Sequence, residues 1–201
     1  MTTILTTNEP TYSLLLEEND DSVEDEVEDY HDDVEDLHFA IESRDIDRVK
    51  VLLAKGADVT EMDPDGHQNV LGMAIEAGDA EFVTLLLNNG ANANSFNLMC
   101  AIWEDNKDIV AMLVLEKGVD VNATDIIAED PFMPTPLMST IERGGKFEIV
   151  EMLIANGADV NLTCSSNYSG QSPLDMAIDL GDKEMTEFLK NKGAKISDNI
   201  E

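Results

Sequence analysis

The stretch that most constrains this chain is Thr135–Asn161, reading TPLMSTIERGGKFEIVEMLIANGADVN. Thr135-Pro136-Leu137 opens a helix, because proline's fixed φ suits a first turn and its missing N–H is one the helix could not pair. Gly144-Gly145 breaks that helix, and a second apolar run follows through Phe147, Ile149, Val150, Met152, Leu153 and Ile154. Gly157 stands just past its end, where a left-handed residue is needed as a cap. The spacing predicts helix, turn, helix, loop. A unit so small and apolar must stack on copies of itself.

Copies are present. Gly157-Ala158-Asp159-Val160 recurs as Gly56-Ala57-Asp58-Val59, Gly90-Ala91-Asn92-Ala93, Gly118-Val119-Asp120-Val121 and Gly193-Ala194-Lys195-Ile196, with glycine spacings of 34, 28, 39 and 36. First helices recur as Ala40-Ile41-Glu42, Ala74-Ile75-Glu76, Ala101-Ile102-Trp103, Thr140-Ile141-Glu142 and Ala177-Ile178-Asp179. A period near 33 with TPL-type openings and a Gly-Ala-Asp ending resembles the ankyrin repeat family, over residues 36–196 in five units. The resemblance implies an all-α helix-turn-helix solenoid with β-hairpin or loop fingers. The expected organisation is an acidic, mostly disordered tail over residues 1–34, a repeat domain over 35–196 and a frayed end over 197–201.

Charge separates the tail from the rest. The chain carries 12 basic and 43 acidic residues, a net charge of −31. Residues 17–36 hold thirteen of the acids and no Lys or Arg. Such a block repels itself and buries almost nothing, so disorder is expected. It serves either as a solubilising tail or as an acidic arm that contacts a basic partner. Residues 37–201 remain at −17, with twenty-nine acids against twelve bases. That surplus speaks against direct nucleic-acid binding, since phosphates would be repelled. An anionic membrane surface is disfavoured for the same reason. No apolar run approaches the ~18 residues of a membrane span, and residues 1–16 lack the basic start of a signal peptide. The two cysteines do not make a disulfide framework and suit a reducing compartment, so a cytoplasmic protein is expected. It is expected to be a monomer when free.

Along the chain, Tyr12-Ser13-Leu14-Leu15-Leu16 is an apolar patch inside the tail. It either folds back on the exposed edge of repeat one or serves as a peptide motif for another protein. Repeat one carries Arg44, Arg48, Lys50 and Lys55, which suits a terminal unit whose outer face meets water. Repeat two begins with a turn sequence, Asp63-Pro64-Asp65-Gly66, at the tip of an expected hairpin. Repeat three departs most, because only Ser95-Phe96-Asn97 separates Asn94 from Leu98 and leaves no room for a hairpin. The next connection, Ala123–Pro134, is correspondingly long and carries Ile126, Ile127, Phe132 and Met133. Those residues either fill the gap left by the missing hairpin or form a contact patch at a loop tip. A loop of similar character, Leu162–Gln171, carries Tyr168. Repeat five ends in Lys183, Lys190, Lys192 and Lys195, which reads as a polar C-terminal cap.

Nothing in the sequence carries catalysis. No HExxH pair, GxxxxGK[ST] or GxGxxG occurs, and no EF-hand spacing is present. Cys100 reads as a small core residue, and Cys164 has no histidine near it in sequence. Neither a cofactor nor a metal is expected.

Binding remains. The resemblance implies contacts through hairpin tips and through two positions near the end of each first helix. In this sequence those positions are Glu42-Ser43, Glu76-Ala77, Trp103-Glu104, Glu142-Arg143 and Asp179-Leu180. The first members form a column on the concave face, four carboxylates flanking the chain's single tryptophan. Trp103 is either an exposed anchor there or a plug for the space of the missing hairpin. The candidate contact set is Glu42, Asp65, Glu76, Trp103, Glu104, Phe132, Glu142, Arg143, Tyr168 and Asp179. The function expected is a non-enzymatic module that binds a basic protein surface, as an inhibitor or immunity-type protein. A scaffold whose acidity serves solubility and a DNA-mimicking inhibitor are the alternatives.

Overall fold

A computed structural model describes residues 37–60, 62, 69–124, 134–164 and 170–199. The tail with its Tyr12–Leu16 patch, the turn Asp63–Gly66 with Asp65, the apolar loop residues through Phe132 and Met133, and Tyr168 lie outside the described residues.

Among the described residues, five helix pairs follow one another. Residues 37–42 form α1, followed by α2 (Ile46–Lys55), α3 (Val70–Glu76) and α4 (Ala80–Asn88). Next come α5 (Ser95–Trp103), α6 (Lys107–Leu113), α7 (Pro136–Glu142) and α8 (Phe147–Ala155). Last come α9 (Pro173–Asp179) and α10 (Lys183–Asn191). First helices stack in order, α3 on α5, α5 on α7 and α7 on α9, while α4 packs on α6 and α6 on α8. One apolar core runs the length of the stack, from Leu37 and Val49 to Met185 and Leu189. Among the described residues the architecture is all-α, and the one β feature is an antiparallel bridge between Met62 and Asn69. That bridge joins the residues on either side of the turn sequence expected in repeat two. In repeat three, residues 91–94 run straight into α5 with no such bridge.

Local chemistry explains the helix starts. Side chains of Asp45, Asn69, Asp79, Asn94, Asn106, Thr135, Ser172 and Asp182 each accept from a first-turn N–H. Each such cap contributes about 1 kcal/mol. Among the helices whose N-cap is described, α8 is the exception, since Lys146 stands at its cap without a side-chain bond.

The helix ends follow one rule with one violation. Gly56, Gly90, Gly157 and Gly193 stand four residues past the buried Leu52, Leu86, Leu153 and Leu189, all with φ between +87° and +98°. Gly118 stands five residues past Leu113 and is not left-handed. The extra residue ends α6 early and turns Leu115 outward, 74% exposed. Gly118 is needed for a different reason: a Cβ there would sit 2.4 Å from the carbonyl oxygen of Ala93.

Neighbouring repeats are also tied by hydrogen bonds. Asn122 donates to the carbonyl of Gly157 at 2.9 Å and accepts from the N–H of Asp159 at 2.7 Å. Asn161 does the same one repeat later, with Gly193 and Lys195. At the turn after each first helix, Arg44 and Asp105 take up left-handed φ of 57° and 51°, where Gly78, Gly144 and Gly181 do so in the other repeats. A non-glycine residue pays roughly 1–2 kcal/mol there, and in both cases a tie to the adjacent repeat accompanies it. Arg44 donates to the carbonyl of Ala77 at 2.8 Å. Asp105 receives Lys146 on both its carbonyl and its carboxylate at 2.8 Å.

The C-terminal face exposes an isoleucine that the other repeats bury. Ile41, Ile75, Ile102 and Ile141 are buried, whereas their counterpart Ile178 in repeat five is 47% exposed. Thr186 replaces the buried Val49, Val83, Val110 and Val150 at the matching place in α10. Ile178, Gly181, Lys183, Thr186 and Glu187 line an open hollow there.

Candidate functional site

Glu76, Trp103, Glu142 and Asp179 are each the last residue of their first helix, and Glu42 ends the helical run of α1. Because α3, α5, α7 and α9 stack side by side, these helix ends form a row. All four carboxylates in it are exposed. The second positions follow suit: Glu104 caps α5, Arg143 caps α7 and Leu180 caps α9, all exposed. Of the ten candidate contact residues, seven therefore lie along one edge of the stack. Asp65, Phe132 and Tyr168 fall outside the described residues.

Trp103 is half-buried. Its ring packs edge-on against Phe96, with centroids 6.2 Å apart and planes at 82°. Both rings rest on the core while leaving part of the indole uncovered. Phe96 lies in the first turn of α5, so the indole is covered on one side by that ring and is partly open on the other. The sequence reading missed Phe96. Its signal was the seven-residue separation from Trp103, which places both rings on one face of α5.

Cations near the row are held by neighbouring repeats. Arg143 donates through Nη2 to the carbonyl of Trp103 at 3.0 Å, and Lys146 is tied to Asp105. Arg44 is bound to the carbonyl of Ala77. Each cation meets a carbonyl at or next to the C-terminal end of a first helix, where the helix dipole is negative. Asp179 accepts a hydrogen bond from the Gln171 amide, a neutral donor. Glu42, Glu76, Glu104, Glu142 and Asp179 against Arg143 leave the row net negative. Its field is felt one layer inward: burial, then the charges of Glu76 and Glu104, push the Cys100 thiol up to about 11. Cys100 is therefore a neutral thiol at physiological pH. Cys164 is also buried and is not disulfide-bonded.

Among the described residues no group of His, Cys, Asp and Glu could hold a metal ion. None of their helices is long and apolar enough to cross a membrane.

Comparison with known proteins follows the same lines. The profile of the family described as "Ankyrin repeats (3 copies)" matches residues 7–125 and again 126–200. An ankyrin repeat protein of fowlpox virus (strain NVSL) is 30% identical over 153 residues, 72% of this chain and 43% of its own length. The nuclear factor NF-kappa-B p105 subunit of Gallus gallus is 28% identical over 79% of the chain and 16% of its own length. The B-cell lymphoma 3 protein homolog of Mus musculus is 27% identical over 79% of the chain and 35% of its own length. The chain thus spans less than half of each of these relatives. With both halves matched by that profile and five helix pairs stacked on one core, the chain belongs to the ankyrin repeat family, and its repeats form a protein–protein interaction module.

Proposed function

We propose that this chain is a non-enzymatic binding protein that grips a basic protein surface through its row of first-helix ends. The partner's cations meet Glu42, Glu76, Glu142 and Asp179, and the exposed part of Trp103 supplies the apolar contact among them. The observation that carries this reading is the row itself. Four exposed carboxylates flank a half-buried indole. An aromatic anchor ringed by polar groups is how interface hot spots are built, and acidic surroundings raise the association rate with a basic partner. An inhibitor or immunity-type protein covering a basic site, free as a cytoplasmic monomer, fits this chemistry. So does a DNA-mimicking inhibitor, which differs only in that its target also binds nucleic acid. The chain itself, at −17 over residues 37–201, repels phosphates.

The test is affinity capture with the full chain at low salt, followed by mass spectrometry and a salt wash. Basic partners that elute as salt rises support the reading, and release of a partner by added DNA would select the DNA-mimicking form. Partners of ordinary isoelectric point, retained at high salt, would establish a scaffold whose acidity serves solubility.

A further inference from the structure

Repeat one exposes two large apolar residues that every later repeat covers. Phe39 in α1 is 57% exposed and Val51 in α2 is 55% exposed. The counterparts of Phe39 are Cys100, Ser139 and Met176, all buried, and Met73, packed against the core. The counterparts of Val51 are Leu85, Met112, Met152 and Phe188, all packed against the core. Two of these show what the position faces. Met112 receives a hydrogen bond from Thr84 in the preceding repeat. Phe188 meets Phe147 of the preceding repeat edge-on at 5.6 Å. Phe39 and Val51 therefore mark a surface shaped to be covered by whatever precedes repeat one.

The same face is basic. The Arg48 guanidinium lies over the Phe39 ring, 5.6 Å from its centroid. In the later repeats the place of Arg48 is taken by Phe82, Ile109, Ile149 and Met185, all buried. Lys55 lies seven residues beyond Arg48, on the same side of α2, and is exposed.

We infer that residues 12–36 of the chain's own N-terminal segment dock on this face. Tyr12, Leu14, Leu15 and Leu16 cover Phe39 and Val51, and the acids that follow lie beside Arg48 and Lys55. Charge complementarity selects this occupant: residues 17–36 hold thirteen acids and no Lys or Arg. Reach allows it, since the twenty residues between the patch and α1 span up to roughly 65 Å when extended. The family profile already matches from residue 7, nearly one repeat length ahead of α1. The tail thereby becomes a cap for the first repeat, a role separate from the partner surface proposed for the first-helix row.

Amide hydrogen exchange on the full chain tests this, comparing it with a Leu14→Ser, Leu15→Ser, Leu16→Ser variant. The triple variant should speed exchange in α1 and α2 by about tenfold and leave α9 and α10 unchanged. Val51→Ser in an otherwise intact chain should speed exchange of residues 12–16. Unchanged exchange in both variants overturns the proposal. So does protection of α2 that vanishes on dilution alongside a dimer in sedimentation, because a second copy would then be the occupant.

Discussion

Arg143 donates to the main-chain carbonyl of Trp103 across a repeat boundary, 3.0 Å away. The bond fastens the end of α7 to the end of α5, and it holds a cation at the edge of an otherwise acidic row. Arg143→Ala should therefore lower stability by about 1 kcal/mol, the net worth of a hydrogen bond with a charged donor at an exposed site. Urea denaturation measures this. An unchanged midpoint would mean that the guanidinium contributes nothing across the boundary.

Trp103 and Phe96 should be coupled. Single truncations to Ala each lose half-buried aromatic area, and the pair has an edge-to-face geometry. A double-mutant cycle in denaturant should give a coupling of about 0.5–1.5 kcal/mol. The same Trp103→Ala variant should weaken partner binding by about 2–4 kcal/mol, as hot-spot truncations do. Additive stability losses would show that the rings share no interaction.

How far the sequence alone reaches can be judged residue by residue. Repeat boundaries were legible because Gly56, Gly90, Gly157 and Gly193 occupy a backbone region that only glycine enters cheaply. The positions of the row were legible too, since an isoleucine precedes each of them, behind Ala in four repeats and Thr140 in the other, and fixes the register. Arg44 and Asp105 were not. They take the same left-handed turn with side chains that give no sign of it, and the ties that accompany the strain come from contacts 33 and 41 residues apart. Gly118 looked like its four counterparts, yet its requirement comes from the Ala93 backbone pressed against it. The asparagine ties of Asn122 and Asn161 were invisible for the same reason, because their partners lie one full repeat away.

That difference between glycines is measurable. Gly157→Ala introduces strain at φ +98° with open space around it. Gly157→Asn should be milder, since Asn tolerates the left-handed region. At Gly118 any side chain meets the Ala93 carbonyl, so both substitutions should cost about 1–3 kcal/mol, with Asn no better than Ala. Thermal or urea unfolding of the four variants checks the pattern. A milder Gly118→Asn would remove the close approach as the cause.

Asp175 makes stability depend on acid. Partial burial opposes its ionisation, but hydrogen bonds from Ser172 and Ser197 outweigh that and hold its carboxyl below the ordinary range. Its folded value is thus lower than its unfolded one, so its contribution is complete above roughly pH 4 and is lost as pH falls through the folded value. Asp175→Asn should destabilise the protein at pH 7, and the gap from the parent chain should narrow as pH drops from 5 to 2. A gap that is constant with pH would contradict this account.

The central claim is that the first-helix row carries binding through its charge. Its most direct measurement is the salt dependence of affinity for a captured partner, comparing the parent chain with a Glu42→Gln, Glu76→Gln, Glu142→Gln, Asp179→Gln variant. Screening shortens the reach of such charges to about 10 Å at 0.1 M salt and 3 Å at 1 M. The account predicts that the parent's affinity falls steeply as salt rises over this range. The variant should bind more weakly at low salt and respond far less to added salt. Equal affinities and parallel salt curves for the two proteins would contradict it.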